Sequence, residues 1–155
     1  MGDKIKLLFL CTGSTCRSQM AEGWTRALKS DQIEVYSAGV ETYGINPNAV
    51  KVMQEVGIDI TNHKPQKVNE LLHISFDFVV TVCDNAQETC PVLPANATVI
   101  HKKFDDPPQK AALVEGEQKK LNCYRTVRDQ IKEFVETLPE SLEIAELETD
   151  STSLY

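Results

Sequence analysis

The sequence predicts a single-domain α/β fold built on a parallel sheet. Two observations carry the prediction. Short apolar runs of strand length alternate with segments of helical periodicity along the 155 residues. Two of those runs, Lys4–Leu10 and Phe76–Val82, are nearly continuous in apolar residues, as strands covered on both faces are. Each is followed at once by a cysteine, Cys11 and Cys83. In a parallel sheet with right-handed crossovers, both cysteines fall on the carboxyl edge, where such folds bind ligands.

The first strand, Lys4–Leu10, ends in a glycine-containing loop. Ser18 is the expected N-cap of a helix whose apolar positions are Met20, Ala21, Trp24, Ala27 and Leu28. Ile33–Ala38 is a second strand, closed by Gly39. Pro47 opens a second helix with Val50, Val52, Met53 and Val56 apolar and Gly57 as its stop. Val68–Leu72 forms a short helix, Phe76–Val82 a central strand and Thr98–His101 a fourth. Pro107–Lys120 is polar and reads as a loop. From Leu121 to Leu138 the apolar positions define a long amphipathic helix, ended by Pro139. Residues 1–138 form the catalytic domain. Residues 139–155 form an acidic tail, too poor in large apolar residues to fold.

Composition excludes several functions. The net charge is −7, and the five acids of the tail account for most of it. Without them 18 acidic residues face 16 basic ones, so the body has no electrostatic footprint for nucleic acid. No apolar run is long enough to cross a membrane. The apolar part of Lys4–Cys11 is too short for a leader and has no cleavage site, so a cytoplasmic protein is expected. Five cysteines, an odd number, suit catalytic or redox use better than a disulfide framework.

The chemistry concentrates in Cys11-Thr12-Gly13-Ser14-Thr15-Cys16-Arg17-Ser18. Backbone N–H groups of such a loop, with the positive end of the helix that follows, form a cradle for a tetrahedral oxyanion. Arg17 can grip two oxygens of that anion as a fork. The same field favours the thiolate of Cys11, the nucleophilic form. Ser18 can hydrogen-bond that thiolate. Cys16 lies within the loop and is assigned no chemical step.

Cys83 and Cys90 stand seven residues apart. On a helix they would share a face about 10 Å apart, too far for a disulfide unless the helix unwinds. They are either unrelated thiols or a redox pair, and the neighbouring Cys11 cradle favours the pair. Asp106, held by Pro107, suits a general acid over an oxyanion site, and a simple turn is the alternative. His63 and His101 have no metal-ligand spacing with the cysteines, and no metal is expected. Trp24, Tyr124 and Cys123 read as core.

These residues carry a resemblance. The run Cys11 to Trp24, Tyr36-Ser37-Ala38-Gly39, Asn46-Pro47, Asn62-His63, Val79 to Cys83, Cys90-Pro91 and Phe104-Asp105-Asp106-Pro107 resemble the thioredoxin-coupled arsenate reductases. That family shares the low-molecular-weight tyrosine phosphatase fold. The resemblance implies a four-stranded parallel sheet with helices on both faces, no tightly bound cofactor, and thioredoxin as electron donor; a monomer is expected, although the sequence does not fix the oligomeric state. It implies that Cys11 attacks arsenate while residues 12–18 and Arg17 hold the oxygens. It further implies a Cys11–Cys83 disulfide as intermediate and Cys83–Cys90 as product, with Asp106 as general acid. Phosphate and sulfate would bind the same cradle. Some members hold potassium through Asn, Glu, Ser and Asp, and the matching positions here are Ser14, Glu22, Ser37 and Gln66. Two of the four differ, so the resemblance does not carry a potassium site to this chain.

Two alternatives remain. A phosphatase needs only Cys11, Arg17 and Asp106, although Asp106-Pro107-Pro108 lacks the paired tyrosines usual in those enzymes. A non-catalytic oxyanion binder or redox sensor would keep the cradle and show no turnover.

Overall fold

The computed structural model describes residues 4–13, 16–41, 46–63, 66–71, 73–82, 97–102 and 104–144. Four strands, β1 (Ile5–Gly13), β2 (Ile33–Glu41), β3 (Phe78–Thr81) and β4 (Thr98–His101), form one sheet of order β2-β1-β3-β4. All three pairings are parallel. From β1 the chain first adds β2 on one side and later β3 and β4 on the other. The strand order therefore reverses at β1, and the crevice beyond β1 and β3 is where a sheet of this kind binds its ligand.

Side chains alternate across β1, as strand geometry requires. Leu7, Phe9 and Cys11 face a core shared with α1 (Arg17–Lys29), α2 (Pro47–Glu55), α3 (Pro107–Ala111) and α4 (Glu117–Glu136). Leu8 and Leu10 face a smaller core with Ala38, Leu71, Phe76 and Val79. Burying one such Leu or Phe contributes about 1.5–3 kcal/mol, so the two-sided burial of β1 fixes its register firmly. Among the described residues the second face carries only a 3-10 turn, Val68–Leu71, in place of a full helix.

Several boundaries differ from expectation. β1 continues three residues past Leu10, because Cys11 pairs with Gly39 and Gly13 with Glu41. α1 starts at Arg17, with Cys16 at the N-cap and Ser18 already inside the helix. The N-cap residue Cys16 makes no side-chain hydrogen bond to the helix, and no acidic residue lies in the first turn of α1.

The polar stretch after Asp106 is not a plain loop. Prolines at the first positions build α3 from Asp106, and Glu117 starts α4 four residues earlier than the apolar pattern suggested. Asn46 caps α2, its Oδ1 accepting from Asn48 N–H at 2.8 Å and Ala49 N–H at 3.3 Å. Gly57, with φ of 81°, follows that helix as expected. Beyond Pro139, residues 140–144 make one more helical turn, and Leu142 joins the main core. Residues 145–155 lie outside the described residues. Among the described residues no helix is long and apolar enough to cross a membrane.

Candidate active site

The site grows from the junction of β1 and α1. Cys11 is buried where β1 meets Gly39. Cys16 and Arg17 follow at the start of α1, Arg17 with only 7% of its surface exposed. A buried guanidinium must have its donors satisfied. Arg17 Nη1 donates to the Val82 carbonyl at 3.2 Å and to the Phe104 carbonyl at 3.0 Å. Nη2 faces Asp106 Oδ1 at 3.9 Å. One side chain therefore ties together the end of β3, the segment after β4, and the loop between β1 and α1. Val82 is the residue before Cys83, so the guanidinium is bonded to the backbone that leads into the second cysteine.

Asp106 caps α3 by position only. Its side chain makes no hydrogen bond to the helix amides and is about one-third exposed. The carboxyl group is thereby free of the local tether that an N-cap aspartate usually makes.

The two cysteines of the loop differ in chemistry. Burial pushes the Cys16 thiol well up, the charge of Asp106 adds to that, and Arg17 opposes it. Cys16 stays a neutral thiol, which agrees with assigning it no step. Ser18 is fully buried, and its Oγ is the buried side-chain oxygen without a hydrogen-bond partner among the described residues. A buried hydroxyl in that state, at the second residue of α1, has a donor available to an anion or a thiolate.

Thr12 and Gly13 continue β1 in the backbone. Ser14 and Thr15 lie outside the described residues, as do Cys83 and Cys90 with the whole segment 83–96. The structure thus brings together Cys11, Cys16, Arg17, Ser18 and Asp106.

On the other side of α1 a second polar cluster forms around Glu22, in a cavity of about 490 Å³. Glu22 is buried. It accepts from Ser37 Oγ at 2.6 Å and from Arg26 Nε at 3.1 Å, and His63 Nδ1 stands at 3.2 Å from both Glu22 and Gln19. Burial pulls the His63 pKa down, with Glu22 opposing, so the ring meets Glu22 mainly as a neutral hydrogen-bond donor. The positive charge facing Glu22 is the Arg26 guanidinium, and Asp59 and Gln66 also line the cavity. Among the described residues no group of three or more His, Cys, Asp or Glu is placed to hold a metal. His101 bonds Thr81 Oγ1 between β4 and β3.

Two site-adjacent residues escaped the sequence reading: Asn46, seen only as part of a motif, and Tyr124, read as core. Asn46 Nδ2 donates to Tyr124 Oη at 3.1 Å. The available signal was an N-cap asparagine ahead of Pro47, which has a spare amide once its oxygen caps the helix.

A buried cysteine and a buried arginine stand together at the switch point of a parallel sheet, the arrangement of the phosphatase-like α/β folds. Residues 6–149 match the model of the low molecular weight phosphotyrosine protein phosphatases, and the chain belongs to that family. It is also 44% identical over 140 residues to an arsenate reductase of Halalkalibacterium halodurans, covering 90% of this chain and 98% of that one. Among solved structures, an arsenate reductase in the phosphate binding state superposes with a TM-score of 0.71 at 32% identity, over 86% of this chain and 95% of that one. A thioredoxin-dependent arsenate reductase of Corynebacterium glutamicum shares the fold, with a TM-score of 0.66 at 18% identity, over 93% of this chain and 64% of that one.

Proposed function

We propose that this protein is an arsenate reductase that works through a three-cysteine relay regenerated by thioredoxin. The Cys11 thiolate attacks the arsenic of arsenate. An As–S bond forms, and one arsenate hydroxyl leaves as water after taking the Asp106 proton, its As–O bond breaking. Arg17, the amides at the start of α1 and Ser18 Oγ stabilise the charge on the remaining oxygens. Cys83 then attacks Cys11 Sγ. The S–S bond forms, the S–As bond breaks with its electron pair staying on arsenic, and arsenite leaves. Cys90 attacks Cys83, which releases the Cys11 thiolate and leaves Cys83–Cys90. A dithiol partner of the thioredoxin kind reduces that disulfide.

The observation that carries this reading is the Arg17 to Val82 hydrogen bond. It joins the anion-gripping side chain to the residue preceding Cys83, and so supports a second thiol within reach of the first. The similarity to arsenate reductases over most of both chains supports the same substrate. A phosphatase is the second reading, favoured by the family model and by the sufficiency of Cys11, Arg17 and Asp106 for phosphoryl transfer.

The deciding experiment is an assay with arsenate, thioredoxin, thioredoxin reductase and NADPH. Arsenate-dependent NADPH consumption that disappears in Cys11→Ser is expected. Hydrolysis of an aryl phosphate with no arsenate-dependent consumption would select the phosphatase instead.

A further inference from the structure

Arg17 directs Nη1 at two backbone carbonyls, Val82 at 3.2 Å and Phe104 at 3.0 Å. A guanidinium is planar and rigid, so two acceptors on one nitrogen set the direction of the whole fork. The two acceptors are held differently. Val82 is tied to the sheet, its N–H donating to the Leu10 carbonyl at 2.9 Å. Phe104 lies outside helix and strand. It follows Lys102, whose N–H donates to the Thr81 carbonyl at 2.8 Å, and precedes the start of α3 at Pro107. The place of its carbonyl therefore depends on what holds its side chain. The Phe104 ring is buried and meets the half-buried Phe134 ring of α4 edge to face, with centroids 6.2 Å apart and planes at 66°. The Lys102 ammonium stands over both rings, 5.9 Å from the Phe104 centroid and 5.8 Å from that of Phe134. A cavity of about 670 Å³ opens beside the rings, and Lys102, Phe104 and Phe134 all line it. On that side the ring pair and the ammonium hold Phe104, in place of close packing.

We propose that Phe134, with Lys102, is the positioning residue for Arg17: the clasp fixes the Phe104 ring, the ring fixes the Phe104 carbonyl, and the carbonyl aims the guanidinium at the oxyanion. Phe134 acts through Phe104 and not on the substrate. The clasp leaves the charge of Arg17 unchanged and sets its direction. A two-oxygen grip depends on that direction, whereas a point charge does not. The proposal rests on Arg17 as the anion-gripping residue of the reaction above.

The test is the affinity for inorganic phosphate, read from amide NMR shifts so that weak binding is followed too, with no arsenate present. Phe134→Leu keeps an apolar side chain and removes the ring. Phosphate affinity is expected to fall about fivefold, the scale on which an aromatic pair contributes. Phe134→Tyr keeps the ring and should bind phosphate as wild type does. Lys102→Met removes the ammonium and should lose about twofold. Both losses should vanish in the Arg17→Lys background, where no fork remains to be aimed. The Arg17 side chain gives a second readout. Its Nη1 and Nη2 signals should be separate in wild type and in Phe134→Tyr, and should merge in Phe134→Leu as rotation about Cζ–Nε speeds up. A merely structural role would lower the unfolding midpoint and leave these signals apart. Unchanged phosphate affinity in folded Phe134→Leu overturns the proposal, as does an equal loss in Phe134→Tyr or in the Arg17→Lys background. Should Phe134→Leu not fold, Lys102→Met decides, by its affinity in the two Arg17 backgrounds. Wild-type phosphate affinity in Arg17→Lys overturns the proposal together with the anion-gripping role. Failure of the arsenate assay leaves phosphate binding in place, so the two failures are distinguishable.

Discussion

Two arginines are buried in this protein, and they do opposite work. Arg128, on α4, is 9% exposed and is met closely by carboxylates: Asp129 at 2.8 Å and Glu55 at 2.9 Å. Its Nη1 also donates to the Val52 carbonyl at 2.9 Å. Arg17, on α1, is 7% exposed, is anchored by the Val82 and Phe104 carbonyls, and keeps Asp106 at 3.9 Å. Carbonyls satisfy donors without cancelling charge. Arg128 is therefore a brace between α2 and α4, whereas Arg17 joins the end of β3 and the segment after β4 beside the crevice beyond β1. Burial alone does not separate the two residues, and the elements that each one joins do.

The contrast breaks first at Arg17. Arg17→Lys keeps a positive charge but loses the fork and the two carbonyl bonds. Phosphate or arsenate affinity is expected to fall about 100-fold, at ~1.5–3 kcal/mol per charged hydrogen bond. Competition binding checks this, and unchanged affinity would make Arg17 a second brace. Arg128→Met should do the reverse. Leaving the Val52 carbonyl without its Arg128 donor is expected to cost about 1–3 kcal/mol in denaturant unfolding, with turnover within about twofold.

Gly23 sharpens the boundary between packing and chemistry. A Cβ there would lie 2.9 Å from Ile60 Cγ2 and 3.1 Å from Met53 Cε, so Gly23→Ala overpacks the α1–α2 contact. Roughly 1–3 kcal/mol of stability should be lost, with KM unchanged. The smallest effect belongs to Glu55, the carboxylate shared by Arg125 and Arg128. Hydrogen bonding from Arg125, more than that from Arg128, holds its pKa at about 2, below the ordinary 4.5. A depressed folded-state pKa gives stability that is present above pH 4.5 and lost as pH falls toward 2. The stability curves of wild type and Glu55→Gln should converge across that window. Curves that stay parallel would remove the brace.

Most of the sheet was legible because burial on both faces leaves continuous apolar runs, and β4 matches its expected bounds, Thr98–His101. The Cys11-to-Ser18 motif was legible as residue types at fixed spacing. The start of α1 was not. Ser18 is a good N-cap locally, but the helix begins two residues earlier than that cap predicts, with Cys16 at the N-cap. The polar run after Asp106 hid α3, since two prolines that break a helix interior also start one. Tyr124 looked like core because its ring is core. Only its hydroxyl, reached by the side-chain amide of Asn46 at the N-cap of α2, has a polar role, and no periodicity reports where one oxygen points.

The relay is tested most directly by counting arsenite. Cys90→Ser, fully reduced and mixed with excess arsenate, thioredoxin and thioredoxin reductase, is expected to release one arsenite per enzyme and then stop, while wild type continues until arsenate or NADPH is consumed. Steady turnover by Cys90→Ser at the wild-type rate would contradict the relay.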